Sequence, residues 1–418
     1  MTRWARWCAA VAIGVGIVTG CQERLTSPAE CPQLCPGGSP QVFDTVVPAV
    51  AGLDSSYPSP ADFVNGGYVN RGRGLALLLS NGFIASEDRP IYRFAPRSDQ
   101  ISVRDTFRTY TVDSAIINLT IVARDTLVGG LKLFLYRIPS GVDSTVSFTG
   151  VEPLLTPASL IDSIVVPDSV HTGTVVDTLD PTEVGRVAFA GTDSTLAIAL
   201  KMTANAPSGI RVGSLASSTA ATFTAFVTVD VPDTGSVKHQ SISRPTAFNT
   251  FVTENPMVPV DSLLTVGGEP SSRALVRFGL SREFLDSASI LRATLEVTPV
   301  RPIFSLRGDP SFIQAIPVVG DFGAKSPISS DSVALRLGTD TLPLVQSDTL
   351  QFNVTRHVQV WQASSDRPQS IFLRLAPEAA SFARAQFFST RSHGPDPSVL
   401  VAPRLRITYQ RSFPFENP

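Results

Sequence analysis

The segment Arg89-Pro90-Ile91-Tyr92-Arg93-Phe94 decides the fold class, because its pattern recurs as Arg273-Ala274-Leu275-Val276-Arg277-Phe278 in the second half of the chain. Successive side chains of a β-strand point to opposite faces, so each copy puts two arginines and an aliphatic residue on one side. Paired arginines beside apolar residues predict a structural ion pair with a carboxylate at a sheet rim, and contact of the arginine pair with a ligand is the alternative. Further short apolar runs, often alternating, are separated by turn residues at 115–122, 131–136, 196–202, 223–229, 289–297, 371–375 and 405–409. This pattern predicts an all-β fold of antiparallel strands.

Four features of the first half recur in the same order in the second, at offsets of 173 to 184 residues. They are the Arg-x-x-x-Arg strand, Asp-Ser-Ala at 113–115 and 286–288, strands at 198–202 and 371–375, and closing strands at 225–229 and 405–409. The sequence therefore predicts two tandem jelly-roll-like antiparallel β-sandwiches at residues 43–231 and 243–411. A polar linker at 232–242 would join them, and residues 412–418 would form a tail.

The composition excludes several classes of protein. Of the 418 residues, 43% are hydrophobic and 17% are charged, which is enough apolar material for packed cores. The formal net charge of −2 gives no basic footprint for nucleic acid. Lysine and glutamate are scarce while turn formers are abundant, which disfavours a helical bundle.

Residues 1–20 have the organisation of an export signal, with a basic start followed by about ten apolar residues. They end at Val18-Thr19-Gly20-Cys21, which resembles the lipobox of bacterial lipoproteins. The resemblance implies that Cys21 becomes the mature N-terminus and carries the lipid, and Gln22 after it favours the outer membrane, on its periplasmic or surface face. An ordinary secretory signal is the alternative.

Residues 21–42 are rich in Pro, Gly, Ser and Gln, as expected for a flexible tether. Cys31 and Cys35 lie in this stretch. Their spacing suits a local disulfide in an oxidising compartment, and the alternatives are thiols without function or, less favoured, a metal site.

The second half resembles the DNRLRE domain family. The resemblance rests on 247–252, 264–268, the closing strand 403–409 and Phe352-Asn353-Val354-Thr355-Arg356-His357-Val358-Gln359-Val360-Trp361, with Asn353 in place of the family's usual Asp. The family consists of jelly-roll-like modules of secreted and surface proteins related to carbohydrate-binding modules. The resemblance implies a polysaccharide-binding surface protein. A structural or assembly lipoprotein that contacts other envelope proteins is the alternative.

Trp361 is predicted to pack in the core and not to stack on a sugar. The 354/358/361 spacing puts three apolar residues on one face of a short helix that would cover the sandwich. Tyr57, Tyr68, Arg71 and Arg73, in or beside a polar stretch, are the candidate ligand contacts.

Signatures of catalysis are lacking in the sequence. The four histidines have no partner at metal-ligand spacing, and there is no Gly-x-Ser-x-Gly elbow or phosphate-binding loop. We therefore expect a protein that is not an enzyme and needs no cofactor. Ca²⁺ is compatible with a jelly-roll module, but no motif selects a site for it or for another metal.

Overall fold

The computed structural model describes residues 41–58, 69, 71–96, 98, 100–187, 195–231, 236–256, 259–269, 271–303, 305–307, 311–337, 349–392 and 401–411. Cys21, Cys31, Cys35 and Tyr68 lie outside the described residues, as do the predicted signal peptide, nearly all of the tether, and the tail. Strands hold 53% of the residues and helical segments 11%. The predicted all-β class is therefore confirmed.

Twenty-three strands are described, and all their pairings are antiparallel. In chain order they are β1 Val42–Pro48, β2 Ser55–Pro58, β3 Ala76–Phe83, β4 Ser86–Phe94, β5 Gln100–Val103, β6 Thr106–Thr109, β7 Thr111–Arg124, β8 Lys132–Ile138, β9 Leu160–Val165, β10 Gly173–Leu179, β11 Ala197–Thr203, β12 Ser208–Gly213, β13 Thr222–Val231, β14 Ser236–Thr253, β15 Leu263–Gly267, β16 Ser272–Arg277, β17 Ala288–Val297, β18 Ser311–Pro317, β19 Val333–Leu337, β20 Leu350–Asn353, β21 Ser370–Ala376, β22 Arg384–Phe388 and β23 Arg404–Arg411.

The helices are short and connect or cover the sheets. They are α1 Phe148–Val151, α2 Pro181–Val187, α3 Arg282–Ser287 and α4 Thr355–Ala363, with 3₁₀ turns at Arg71–Arg73, Glu152–Leu154, Leu215–Ser217 and Gly323–Lys325.

The N-terminal sheet closes on itself. Because β14 pairs with both β13 and β4, a ring forms through β14, β13, β7, β12, β3 and β4. Strands β11, β8 and β9 extend the sheet from β4, and β10 pairs with β7. The buried alternate residues of these strands, such as Leu133, Leu135 and Phe223, form one large core.

The C-terminal part has a four-stranded sheet, β1-β23-β17-β20, and a seven-stranded sheet, β19-β18-β21-β16-β15-β22 with β2 on β16. One core joins them: Leu295 and Ile407 of the first sheet cluster with Leu264, Val276 and Leu373 of the second. Two sheets that bury their apolar faces against each other form a β-sandwich.

The opening strands pair with the opposite half of the chain from the one expected. Strands β1 and β2 were expected in the first sandwich, but they pair with β23 and β16 of the C-terminal sheets. Residues 236–242, expected in a linker, belong to β14, which remains in the N-terminal sheet through Thr253. Alternation of side chains determines which face of a strand is buried, but it does not determine which sheet edge the strand joins.

The two exchanged segments have the same register. In each half, one incoming segment pairs first with the closing strand and then with the Arg-x-x-x-Arg strand. The residues of the segment that make these two pairings are ten positions apart in both halves. The four pairings are Gln240 with Val227, Thr250 with Ile91, Thr45 with Ile407, and Ser55 with Leu275. The two halves therefore share this register, as the repeat predicts, and each receives its opening strand from the other.

The strands expected to be equivalent are paired equivalently. Arg93 lies opposite Ala197, the residue before Ile198, and Arg277 lies opposite Ser370, the residue before Ile371. The expected ion pairs of these arginine strands are present: Arg277 donates two hydrogen bonds of 2.6 and 2.7 Å to Asp321. Arg89 pairs with Glu87 and Glu152.

The two halves also share core packing. Phe382, from the loop between β21 and β22, joins the N-terminal core, where its ring centroid lies 5.2 Å from that of Phe83. Gly209 of β12 allows this approach, because a Cβ at that position would lie 2.9 Å from the Phe382 ring.

Candidate functional site

The predicted ligand contacts lie on different sheets. Tyr57 is on β2, opposite Arg273, and packs with Leu275 and Phe372. Arg71 and Arg73 share a 3₁₀ turn that contacts β14. No described contact joins Tyr57 to this turn, and Tyr68 is outside the described residues. Their role as ligand contacts stays a prediction.

Arg71 interacts electrostatically with Asp88, which forms a buried polar cluster with Glu269 of the C-terminal half. Burial lowers the pKa of Arg71, while the charge of Asp88 acts in the opposite direction. Burial raises the pKa of both Asp88 on β4 and Glu269 at the β15–β16 turn. Ser80 donates a 2.6 Å hydrogen bond to Asp88. Asp88 and Glu269 are hydrogen-bonded to each other, which requires a proton on one of the two carboxyl groups.

A surface pocket of about 460 Å³ lies where the β5–β6 hairpin meets β7 and β13. Its lining residues are Gln100, Phe107, Arg108, Thr109, Tyr110, Thr111 and Thr228. They combine two aromatic rings with hydroxyl, amide and guanidinium groups. Pockets that bind small polar ligands combine apolar walls with a few such polar groups.

The hairpin turn presents one of these rings to solvent. Arg104 and Asp105 have φ values of 52° and 61°, as a two-residue type I′ turn requires at both central positions. Phe107 follows directly on β6 and is 71% exposed. The Tyr110 hydroxyl donates a 2.6 Å hydrogen bond to the Ser98 carbonyl, which fixes the second ring. The sequence analysis missed Phe107 because an isolated exposed phenylalanine has no periodic signal.

A polar trio adjoins the pocket. The Thr228 hydroxyl donates a 2.5 Å hydrogen bond to Asp113 and lies 3.0 Å from His239 Nδ1. In a nucleophilic triad the acid orients the histidine, whereas here the carboxylate binds the hydroxyl directly. The trio therefore offers hydrogen-bond donors and acceptors for a hydroxylated ligand.

A second surface feature lies on β8. Lys132, Phe134 and Tyr136 alternate with the buried Leu133 and Leu135, so the three share the partly exposed face of the sheet. The alternating pattern Leu-Lys-Leu-Phe-Leu-Tyr was visible in the sequence as a strand. The sequence does not identify its outward face as a site, because sequence alone does not show whether that face is exposed to solvent or covered by another segment.

Acidic residues gather at one more place, where Asp177 of β10 lies beside Asp162 of β9 and Glu183 of α2. Burial raises the pKa of Asp177 to about 7, with further contributions from the hydrogen bond to Asp162 and the charges of Asp162 and Glu183. Among the described residues, no group of three or more His, Cys, Asp or Glu side chains is arranged to hold a metal ion.

The described helices include none that is long and apolar enough to cross a membrane. No protein-family model matches the chain. No curated protein matches it.

Proposed function

We propose that the chain is a non-catalytic, lipid-anchored protein of the bacterial cell envelope that binds polysaccharide through the hairpin pocket. The observation that carries the proposal is the 71% exposed ring of Phe107 at the mouth of a pocket lined with polar groups. Sugars present apolar ring faces that pack on aromatic side chains, and their hydroxyls form hydrogen bonds with polar side chains around the ring. The pocket provides both.

The pocket is held in place before a ligand arrives. The type I′ turn sets the hairpin, and the Tyr110–Ser98 hydrogen bond ties its end to the preceding loop. A preformed site loses less conformational entropy on binding than one that must be ordered. The resemblance of the second half to the DNRLRE family supports polysaccharide as the ligand class of the chain, and the first half, which holds the pocket, is related to the second by the internal repeat.

The anchor in this proposal is the lipid on Cys21, and residues 21–42 form the tether between the lipid and the folded part of the chain. Gln22 supports sorting to the outer membrane. In the proposed protein, Cys21→Ser moves the chain from the membrane fraction to the soluble fraction, measured by immunoblotting of fractionated cells. Unchanged fractionation would remove the anchor from the proposal while leaving the glycan site intact.

An assembly role is the second candidate, and one surface favours it. Phe322 is 72% exposed and Val319 43% exposed, three residues apart in the sequence before the Gly323–Lys325 turn of the C-terminal part. Adjacent exposed apolar side chains are a common feature of protein contact sites. A partner lost on Phe322→Ala, with no glycan bound by the intact chain, would favour assembly over polysaccharide binding.

The test of the proposed function is a glycan array probed with the full chain purified in detergent. The proposal predicts selective binding to a set of related polysaccharides that survives repeated washing. Binding to none of the glycans on the array would contradict it.

A further inference from the structure

The outer face of the four-stranded sheet β1-β23-β17-β20 is open to solvent. The inner face supplies Leu295 and Ile407 to the C-terminal core, so the alternate residues of each strand point outward. Exposed side chains of the outer face include those of Val42, Asp44, Val46, Arg292, Asn353 and Arg406. The outer face is therefore a sheet surface on which apolar and cationic groups lie side by side.

The charged groups at the centre of the outer face differ in exposure. The Glu296 side chain is 3% exposed, and its carboxylate accepts hydrogen bonds of 2.6 and 3.0 Å from the Nε atoms of Arg404 and Arg406. The Arg406 side chain is 50% exposed. Because one buried carboxylate serves two arginines, one positive charge is left over at the exposed level.

Arg292 adds a second cation to the outer face. It is exposed, and no described carboxylate oxygen lies within 4.0 Å of its guanidinium nitrogens. It lies opposite Thr408, which makes it a diagonal neighbour of Arg406. On the other side of Thr408 lies Asp44, which accepts a hydrogen bond from the threonine hydroxyl. The outer face thus has three arginines and two carboxylates, one of which is buried.

The positive charge is not a consequence of the strand arrangement, because the equivalent strand of the N-terminal half lacks it. The shared register of the opening strands aligns β23 with β13. In that alignment Arg406 and Arg404 correspond to Phe226 and Thr224. The same backbone therefore carries uncharged side chains in one half and arginines in the other.

The chain that leads to the proposed lipid enters this sheet. The described residues begin at Gln41, directly before the edge strand β1, and Cys21 is 41 − 21 = 20 positions earlier in the sequence. A flexible chain of that length spans about 25 Å on average. A bilayer that holds the lipid is therefore at high effective concentration beside the outer face.

Apolar side chains accompany the arginines. Val42 and Val46 of β1 are 58% and 43% exposed, and Leu291, the extra residue of a β-bulge beside Arg292, is 49% exposed. Guanidinium groups bind phosphates with two parallel hydrogen bonds, and neighbouring apolar side chains are stabilised at the boundary between headgroups and acyl chains. Phospholipid provides both environments within a few ångströms.

We propose that the outer face of the β1-β23-β17-β20 sheet lies on anionic phospholipid of the membrane that holds the anchor. Arg292 and Arg406 bind lipid phosphates, and Val42, Val46 and Leu291 pack against the lipid beneath the headgroups. The proposal rests on the lipid anchor of the proposed function and adds an orientation to it, since the anchored protein turns this sheet towards the bilayer. The hairpin pocket takes no part in it.

The experiment is chemical footprinting of the full chain reconstituted into vesicles. Phenylglyoxal modifies exposed arginines, and peptide mass spectrometry measures the extent at each one. With phosphatidylglycerol mixed into phosphatidylcholine vesicles, Arg292 and Arg406 are modified about fivefold less than with phosphatidylcholine alone. The protection weakens as salt is raised. Arg104, in the exposed β5–β6 turn, is the internal reference and is modified equally in both kinds of vesicle.

A matched pair of variants tests whether the arginines act together. Arg292→Gln should reduce the protection of Arg406 by about half, because it removes one of the two cations that hold the sheet on the lipid. Arg367→Gln removes an exposed arginine outside this sheet and should leave the protection of Arg406 unchanged. Equal loss of protection in the two variants would contradict the proposal.

Other outcomes would also overturn it. They are equal modification of Arg406 in both kinds of vesicle, equal protection of Arg104, or protection in detergent that rises with protein concentration, which would assign the outer face to a second copy of the chain. Flotation with phosphatidylcholine vesicles reports the anchor separately. A chain that floats with an unprotected Arg406 contradicts this proposal alone, whereas a chain that does not float contradicts the anchor as well.

Discussion

The Glu378 carboxylate accepts two hydrogen bonds from the Arg273 guanidinium, one from Nε and one from Nη2, each 2.7 Å long. The Arg273 side chain is fully buried and that of Glu378 is 3% exposed. The pair joins the Arg-x-x-x-Arg strand to the loop that carries Phe382 into the N-terminal core. A buried, bidentate pair fixes geometry well, and it is costly to break because the remaining charge stays buried.

We expect Glu378→Gln to lower the free energy of unfolding by about 3–5 kcal/mol, because it leaves the Arg273 charge buried without its counter-charge. Urea denaturation followed by tryptophan fluorescence measures the change. Asp286→Asn is the matched control: it breaks the exposed i,i+4 pair with Arg282, which is worth about 1 kcal/mol or less. Equal effects of the two substitutions would show that Arg273 finds another partner.

Trp361→Ala should destabilise the C-terminal core by about 3–5 kcal/mol. Helix α4 buries Val358 and Trp361 on the sandwich, as the spacing predicted, and the indole is 2% exposed and 6.3 Å from the Phe278 ring centre. Val360→Ala on the exposed side of the same helix is the control, with an expected change of about 0.5 kcal/mol or less. Calorimetry of both variants measures the difference. A normal melting temperature for Trp361→Ala, with loss of glycan binding, would make Trp361 a ligand contact.

Stability should fall as the pH rises from 5 to 8, and Asp177 should account for part of the fall. Burial raises its pKa in the folded protein to about 7, whereas the pKa of an Asp in the unfolded chain is about 3.9. A raised carboxyl pKa means that the folded state holds the proton more tightly, so the stabilisation is complete below about pH 4 and is lost as the pH passes 7. Asp177→Asn should therefore have a flatter dependence of melting temperature on pH. The exposed Asp105→Asn should follow wild type, and a flat wild-type profile would contradict the account.

The strand exchange predicts which engineered cysteines can form a disulfide. Asp44 of β1 lies opposite Thr408 of β23, and the threonine hydroxyl donates a 2.5 Å hydrogen bond to the Asp44 carboxylate. Asp44→Cys/Thr408→Cys should therefore cross-link on mild oxidation, as shown by mass spectrometry of the joined peptides. Thr228 has the equivalent position on β13, so Asp44→Cys/Thr228→Cys should stay unlinked. The reverse result would mean that each half keeps its own opening strand.

The sequence predicted the strands, their buried faces and the ion pairs of Arg89 and Arg277, because side-chain alternation and charge are local properties. It also predicted the buried side of α4. The exchange of β1, β2 and β14 could not be predicted, since the edges that receive them are alike in both halves. Tyr57 was a predicted ligand contact because of the polar residues around it in the sequence, whereas the exposed ring at the hairpin pocket is that of Phe107. The exposure of Phe107 depends on the hairpin turn at Arg104 and Asp105. This turn contains no glycine, so the sequence did not predict a turn there.

The central claim is that Phe107 makes this surface a polysaccharide-binding site, and a matched pair of phenylalanines tests it most directly. Phe107 and Phe322 are 71% and 72% exposed, so their substitution by alanine removes the same ring from similarly open positions. Each variant is titrated by isothermal calorimetry with the glycan that binds the full chain best on the array. We predict about tenfold weaker binding for Phe107→Ala, as the loss of one aromatic contact implies, and wild-type binding for Phe322→Ala. Wild-type affinity in Phe107→Ala, or equal loss in both variants, would contradict the claim.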